Sequence, residues 1–163
     1  MRMEARPMSH RHDGGTGMAR APRFVSIFNP IGRRLAAAGL MGPNALLTVR
    51  GRKSGVLRRT PVAFVEVDGR RWIIATFGDV NWARNLRASG EATITVKRRP
   101  QSVHAVELSP EEGARFFREV LAPFVNRLPV GWLILGLLGA SDILSDPEGA
   151  ARRRPVFELK PAG

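Results

Sequence analysis

The sequence contains no cysteine and no tyrosine. Without cysteine the chain cannot form disulfide bonds, thiolate nucleophiles, or zinc and iron–sulfur centres held by cysteine. Without tyrosine it has no phenol to donate a proton. Acidic residues are scarce, since 14 Asp and Glu stand against 26 Lys and Arg and give a formal net charge of +12. This excess favours an anionic partner: nucleic acid, an acidic membrane surface or a phosphorylated small molecule.

Long apolar runs are also missing. No stretch reaches the roughly 18 apolar residues that a membrane-spanning helix needs, and the longest candidate, residues 130–140, contains three glycines. The basic N-terminus is not followed by an apolar run, so we expect no secretory signal. These features predict a cytoplasmic protein.

The length of 163 residues predicts one domain, because domains average about 150 residues. Residues 1–22 lack periodicity and predict a disordered tail, in which His10 and His12 are expected to be solvated rather than metal-bound. Residues 23–163 are predicted as the single domain. Apolar spacing over residues 24–40 predicts one or two short helices interrupted at Pro30.

Alternating apolar residues favour a mainly β, α+β architecture. Val62, Phe64 and Val65 are expected to point inward, and Asp79 is expected to cap a short helix. The predicted strands cover 45–49, 57–67, 71–77, 91–96, 102–108 and 156–159. The short helix is predicted at 80–89, a hairpin at Asp68-Gly69 and a turn at 98–101. A capping box at Ser109 predicts the start of another helix. About six short strands with flanking helices predict a small, mostly antiparallel barrel.

Basic residues cluster around a short glycine-bounded turn, Gly51–Gly55. Arg50, Arg52, Lys53, Arg58 and Arg59 bracket or occupy it. Exposed backbone N–H groups, these side chains and the Ser54 hydroxyl would make an anion-binding nest. A solvated basic hairpin is the alternative interpretation. The turn is not a Walker loop, since it lacks the Gly-Lys-Ser/Thr ending.

Residues for acid–base catalysis are few. His104 is the only histidine outside the tail and has no carboxylate neighbour in the sequence pattern. No Ser-His-Asp order, carboxylate pair or histidine metal motif is present. If the chain is an enzyme, a cofactor must carry the chemistry while the protein binds and orients it.

Four blocks of sequence occur in an order that resembles a known family. They are Leu46–Gly55 (LLTVRGRKSG), Arg58-x-Thr-Pro61, Ile74–Gly78 (IATFG) and Asn81-Trp-x-x-Asn-Leu86. Together they resemble the deazaflavin-dependent nitroreductase family, the split β-barrel oxidoreductases that use coenzyme F420. The similarity runs over roughly residues 45–122, and the closing segment 155–159 is also similar.

The resemblance implies hydride transfer between F420 and an electron-poor acceptor, and it implies a set of cofactor-binding residues. The phosphate and acidic tail would be held by Arg52, Lys53 and Ser54, and the same groove would be lined by Arg58, Arg59, Thr60, Pro61 and Val62. The deazaflavin ring would be flanked by Ile74, Ala75, Thr76 and Phe77. The pocket would be closed by Asn81, Trp82 and Asn85. Thr76 would also orient the ring or the substrate. For Trp82, packing in the core is an equally good interpretation.

Departures from the family pattern concern the acceptor. Nitroreducing members place tyrosines over the ring, whereas this chain has none; Ala63 replaces an aromatic residue and Phe77 a polar one. The chain would instead offer an apolar wall, made of Phe116, Phe117, Phe124 and the segment 129–144. We therefore expect a hydrophobic quinone or enone to be preferred over a nitro compound. The segment 129–144 would pack on the barrel or rest on an anionic membrane surface.

Two alternatives stay open at this point. The barrel would bind FMN instead of F420, or haem through His104, although FMN lacks the acidic tail that the basic cluster suits. Alternatively, the chain would be a non-catalytic module for acidic lipid or nucleic acid. Nucleic acid is not expected, because Phe64 and Trp72 are predicted to be buried and leave no aromatic surface for base stacking.

Overall fold

The structure is a computed structural model, and it describes residues 45–163. The predicted tail at 1–22 and the predicted helices at 24–40 lie outside the described residues.

Six strands form a closed antiparallel barrel. They are β1 (Ala45–Arg50), β2 (Leu57–Val67), β3 (Arg70–Ile74), β4 (Glu91–Val96), β5 (Arg99–Glu107) and β6 (Val156–Pro161). Their order around the barrel is β1-β2-β3-β6-β5-β4, and β4 closes on β1. Closure pairs every strand on both sides and removes the exposed edges that short strands would otherwise present. The predicted antiparallel barrel is confirmed.

Within residues 45–163, six helices accompany the barrel: α1 (Asn81–Ser89), α2 (Pro110–Phe116), α3 (Ala122–Asn126), α4 (Gly131–Leu137), α5 (Asp142–Ser145) and α6 (Pro147–Arg153). A π-helical turn, Phe117–Leu121, joins α2 to α3. The predicted capping box opens α2. There the Ser109 hydroxyl accepts from the Glu112 N–H at 3.2 Å, and the Glu112 carboxylate accepts from the Ser109 N–H at 2.8 Å.

The barrel has two different ends. At the helix end, α1 covers the interior and buries Leu86 among Leu47, Ile94 and Phe157. The turn between β1 and β2 and the segment after β3 lie at this end, as the strand register requires. At the hairpin end, two-residue turns join β2 to β3 and β4 to β5. The two ends are separated by the apolar interior.

A second core lies outside the barrel. The outer faces of β2, β3 and β6 carry Val65, Trp72 and Val156 against the helices that follow β5. Trp72 stacks at 5.1 Å on Phe116 in α2. Val65 therefore does not point inward as predicted, because Phe64 already occupies the inner face and strand side chains alternate. The buried states of Phe64 and Trp72 are confirmed.

The predicted apolar substrate wall is largely wrong. Phe116 and Phe117 are buried in the outer core, where their rings lie 5.7 Å apart, and only Phe124 is partly exposed. Residues 129–144 bury Leu135, Leu138 and Ile143 against the same core. The other side of the segment 129–144 exposes Val130, Trp132 and Leu133. Within residues 45–163, none of the helices has the length and apolarity to cross a membrane.

Two strand boundaries differ from the predictions by three residues, and the others differ by two residues or fewer. β3 ends at Ile74 because the chain turns at Gly78, whose φ of 90° is one that glycine adopts readily. β5 begins at Arg99 rather than Ser102, so the predicted turn at 98–101 is wrong. Pro100 is tolerated in β5 although proline lacks a backbone N–H. Strand β6 pairs with β5 only from Val103 onward, so no residue of β6 lies beside Pro100 to accept a hydrogen bond from it.

The predicted cap of α1 is also wrong. The N-cap is Val80, which offers no side-chain hydrogen bond. Asp79 instead accepts hydrogen bonds from Arg84 at 2.9 Å and Arg87 at 3.1 Å. Hydrogen bonding by Arg84 outweighs the opposing effect of desolvation and, with Arg87, lowers the pKa of Asp79.

We expect the outer core to contribute strongly to stability. Phe117→Ala should lower the free energy of unfolding by about 3–5 kcal/mol, because Phe117 is fully buried and its removal leaves a cavity. Trp132→Ala, which truncates a side chain that is 69% exposed, should change it by less than about 0.5 kcal/mol. Urea unfolding measures both values, and similar losses would contradict this assignment of the core.

Candidate functional site

The turn between β1 and β2 is folded tightly on itself. The Gly51 N–H donates to the Val56 carbonyl at 2.9 Å, and the Gly55 N–H donates to the Gly51 carbonyl at 2.8 Å. A Cβ at Gly51 would lie 2.8 Å from the Ser54 hydroxyl oxygen, which leaves no room for a larger residue. Gly55 has a φ of 68°, in the left-handed region. The two glycines therefore fix the path of the turn.

The predicted nest of backbone donors is only partly present. The N–H groups of Gly51 and Gly55 bond within the turn, that of Val56 donates to the Ser54 hydroxyl, and that of Arg52 donates to Asn85. Within residues 45–163, only Lys53 and Ser54 in this turn keep N–H groups without an acceptor. The binding of an anion here must therefore depend mainly on side chains.

Five basic side chains surround this turn, and we call them the cationic corner: Arg50, Arg52, Lys53, Arg58 and Arg59. All five are exposed. None forms an ion pair with a carboxylate of the described residues, whereas six other arginines of the barrel and helices do. The positive charge of the corner is thus left uncompensated by this part of the chain.

The corner is attached to α1 through one buried amide. The side-chain oxygen of Asn85 accepts hydrogen bonds from the Arg52 backbone N–H at 3.2 Å and from its guanidinium at 2.8 Å. Asn85 is only 6% exposed. Since one guanidinium nitrogen is held, the remaining donors of Arg52 are presented in a fixed direction. Asn85 therefore positions a cation rather than simply closing the pocket.

The predicted groove along β2 is divided between two faces. Arg58, Thr60 and Val62 lie opposite Val49, Leu47 and Ala45, and so share the inner face. Arg59 and Pro61 belong to the outer face. Val62 is buried in the barrel interior, where 8% of it is exposed. The structure thus brings Arg58 and Arg59 to the corner but leaves Val62 in the core.

The residues after β3 are similarly divided. Ile74 is buried in the outer core and Ala75 in the inner one. Thr76 is 9% exposed, and its hydroxyl points to its own strand, 3.4 Å from the Ile74 carbonyl. Phe77 is 39% exposed. Of the four residues in this segment, Phe77 is the most exposed.

On α1, the three predicted residues have different environments. Asn81 is exposed, at the first turn of the helix. Trp82 is partly buried and packs on Phe157 with ring centroids 6.0 Å apart. The packing interpretation of Trp82 is therefore supported. Asn81 and Asn85 lie one turn apart on neighbouring positions of the helix surface.

Arg154 is a positioning residue that the sequence analysis did not identify. Its guanidinium donates to the Thr76 carbonyl, to the Gly139 carbonyl at 2.7 Å and to the Asp142 carboxylate at 2.9 Å. The Ala75 N–H donates to the Pro155 carbonyl at 2.8 Å. The segment after β3 is therefore tied to the helical layer. No sequence signal separates Arg154 from the two arginines before it.

The carboxylate that holds Arg154 is itself perturbed. Burial of Asp142 raises its pKa, but hydrogen bonds and charges from Arg154 and Arg153 outweigh burial and hold the pKa below its usual value. Because the folded-state pKa is lowered, this interaction stabilises the fold at neutral pH. That stabilisation is lost as the pH falls below about 4.

Comparison with known proteins shows the following matches. The family model described as F420H2-dependent quinone reductase matches residues 23–127. The structure of an F420H2-dependent reductase (FDR-A) is 24% identical, covering 72% of this chain and 94% of that chain at a TM-score of 0.44.

Two further structures have TM-scores of 0.51. A pyridoxamine 5'-phosphate oxidase-related, FMN-binding protein from Nostoc punctiforme is 15% identical, covering 88% of this chain and 83% of that chain. The heme storage protein HutZ from Vibrio cholerae is 14% identical, covering 82% and 88%. At this identity the likeness shows the fold alone, and it confirms the predicted split barrel.

We expect Arg154 to keep the segment after β3 ordered. Arg154→Gln should increase amide hydrogen exchange at Ala75 and Gly78, whose N–H groups donate to the Pro155 and Ala75 carbonyls at 2.8 and 2.9 Å, by about tenfold or more, because the charged hydrogen bond from Arg154 to the Thr76 carbonyl is worth about 1.5–3 kcal/mol. Acidification through the lowered pKa of Asp142 should reduce the protection of the same amides relative to the unfolded chain, since Asp142 becomes protonated. Arg153→Gln is the control, because Arg153 binds Asp142 but does not contact Thr76. Equal effects of the two substitutions would contradict this role.

Proposed function

The chain belongs to the F420H2-dependent quinone reductase family, and from this premise we propose that it binds F420 at the cationic corner and reduces a hydrophobic, electron-poor acceptor. A quinone is the first candidate for that acceptor, with an enone or a nitro compound as further members of the class. The observation that carries the proposal is the cationic corner, whose five side chains have no carboxylate partner among the described residues.

The corner fits the anionic part of the cofactor. The family resemblance implies a lactyl phosphate that bears several glutamates, and such a tail needs several cations within reach. Arg52 offers a guanidinium held in place by Asn85, and Lys53 and Ser54 add two backbone N–H groups. Charge-assisted hydrogen bonds of about 1.5–3 kcal/mol each would hold such a tail. Exposed Arg58 and Arg59 extend the positive field along β2.

The segment after β3 and the first turn of α1 would flank the ring. Within residues 45–163, the N–H groups of Thr76 and Phe77 make no hydrogen bond, so both are available as donors. The Arg154 contact fixes their direction in advance, which lowers the entropy cost of binding. When bound there, reduced F420 would supply a hydride, which together with a proton from water would convert a quinone into a quinol. The protein would orient the ring and the acceptor and would exclude solvent from them.

Apolar surface near the corner supports a hydrophobic acceptor. Val56 and Leu57, where β2 begins, are 58% and 60% exposed, and Phe77 is 39% exposed. Such side chains favour an apolar ligand over a charged one. The sequence has no tyrosine, so no phenol can donate a proton to the product and we expect water to do so, which disfavours nitro reduction.

Peripheral binding to an anionic membrane stays a prediction. The exposed side chains of Val130, Trp132 and Leu133 support it, because aromatic and aliphatic residues favour the membrane interface. A membrane-bound position would bring the protein close to lipophilic quinones.

The binding proposal is tested by a titration that follows F420 fluorescence. The R52A/K53A variant should bind F420 about 100-fold more weakly than the native chain, and added salt should reduce the difference. R115A/R127A is the matched control, because it removes the same charge from two exposed arginines that make no ion pair with the described residues. Undiminished binding by R52A/K53A would contradict the assigned anchor. Equal or tighter binding of FMN would favour the FMN-binding alternative.

The acceptor proposal is tested by the oxidation of reduced F420 with a panel of quinones, enones and nitroaromatics. Quinones should give the highest kcat/KM. Phe77→Ser should raise the KM for a quinone by about tenfold with little change in kcat, because the lost contact is apolar and uniform. Val106→Ser removes an equally exposed apolar side chain on β5 and should change neither constant. A preference for nitroaromatics would contradict the proposal.

A further inference from the structure

The hairpin end of the barrel opens into a cavity of about 470 Å³. This volume lies within the range of about 300–1,000 Å³ that small-molecule sites occupy. Phe64 and Val96 give the cavity an apolar floor, and Arg71, Lys97, Arg99 and Gln101 give it polar walls. The buried interior around Ile73 and Ile94 separates it from α1 and the cationic corner.

At this end of the barrel polar residues occupy inner-face positions, whereas the middle of the barrel carries apolar residues there. Gln101 lies opposite Ile94, and Arg99 lies opposite Val96. Arg71, on β3, donates a hydrogen bond to Gln101, on β5, across the mouth of the barrel. Strand β6 lies between these two strands, so the contact spans the opening. Arg71 is thereby held over the cavity instead of extending into solvent.

The charges of the lining are unbalanced. Three cations, Arg71, Lys97 and Arg99, face one carboxylate, Glu66, which leaves a net charge of +2. Glu66 lies directly opposite Arg71 on the neighbouring strand. Within residues 45–163, none of the three cations forms an ion pair. Like charges that converge on one opening raise the local affinity for an anion.

The turn that carries Lys97 goes against the preference of its backbone. The β4–β5 hairpin has a two-residue turn, Lys97-Arg98, with φ values of 50° and 65°. Turns of this kind strongly favour Asn-Gly or Asp-Gly. The hairpin beside it, at the same end of the barrel, uses Asp68-Gly69 at 51° and 75°. Two hairpins of the barrel thus have turns of the same kind, one made of residues that favour this backbone conformation and the other of residues that disfavour it.

An unfavourable turn beside a cavity is typical of a functional constraint. Long cationic side chains gain no packing at an exposed turn, and both Lys97 and Arg98 are exposed. The cation at position 97 does, however, line the cavity. The presence of lysine rather than asparagine at position 97 is explained if the cavity needs the positive charge of the lysine.

We propose that the hairpin end binds a small organic phosphate monoester, with its phosphate among Arg71, Lys97 and Arg99 and its apolar body on Phe64 and Val96. A phosphate monoester carries a charge of about −1.5 to −2 at pH 7, which matches the excess charge of the lining. Guanidinium groups also match phosphate oxygens in geometry. The site is distinct from the cationic corner, and the proposal does not depend on F420.

The first test is calorimetric titration of the full chain with phenyl phosphate at low salt. We expect one saturable site with a dissociation constant below about 1 mM. Inorganic phosphate, which lacks the apolar body, should bind at least about tenfold more weakly. Arg71→Gln and Arg99→Gln should each weaken phenyl phosphate binding by about tenfold or more. Both variants should keep the native circular dichroism spectrum, which shows that they are folded.

The second test uses the turn itself. K97N/R98G introduces the favoured Asn-Gly pair, so it should raise Tm by about 3 °C while weakening phenyl phosphate binding about tenfold. D68N is the matched control, because it places Asn-Gly in the neighbouring hairpin; it should leave Tm within about 1 °C and should not weaken binding.

A gain in stability with a loss of binding would be the signature of a cationic turn kept for its ligand. Three results would overturn the proposal: no saturable binding of phenyl phosphate, binding that is unchanged in both arginine variants, or a K97N/R98G variant that is no more stable than the native chain.

Discussion

The pairing of β4 with β1 is the interaction on which the rest of the structure depends. It closes the barrel, and closure forces the inner-face side chains of all six strands into one apolar interior. The same register brings the β1–β2 turn, the end of β3 and helix α1 to one end of the barrel. A hydrogen bond between Arg52 and Asn85 then joins residues 33 positions apart in sequence. The candidate site is a consequence of this closure.

Charge is distributed around the barrel in an uneven way. On the helical layer, three arginines pair with carboxylates: Arg118 with Glu148, and Arg153 and Arg154 with Asp142. At the cationic corner and around the hairpin-end cavity, the described residues provide no such partners. Paired arginines stabilise the fold. Unpaired arginines repel one another, which destabilises the fold, and they attract an anionic ligand. Both sites that we propose lie where compensation is missing.

The features predicted well from sequence are local. Period-two alternation identified the strands, Asp68-Gly69 marked a hairpin, and Ser109 and Glu112 marked a helix start, because each depends on a few neighbouring residues. The wrong predictions concern side chains with two possible environments. Asp79 binds arginines across a turn instead of capping α1, and the phenylalanines of α2 and the π-helical turn pack under the helices rather than lining a pocket. Nothing in a single sequence tells which partner an apolar or charged side chain will meet.

The sequence by itself determined the barrel class, the basic turn with its two glycines and the family resemblance, because these follow from spacing and residue type. Only the tertiary structure decided that Val62, Ile74 and Ala75 belong to the cores, that Arg154 holds the segment after β3, and that the Lys97-Arg98 turn borders a cavity. The physical reason is that strand alternation gives each residue a face. What covers that face depends on contacts between residues far apart in the chain, and closure of the barrel creates those contacts.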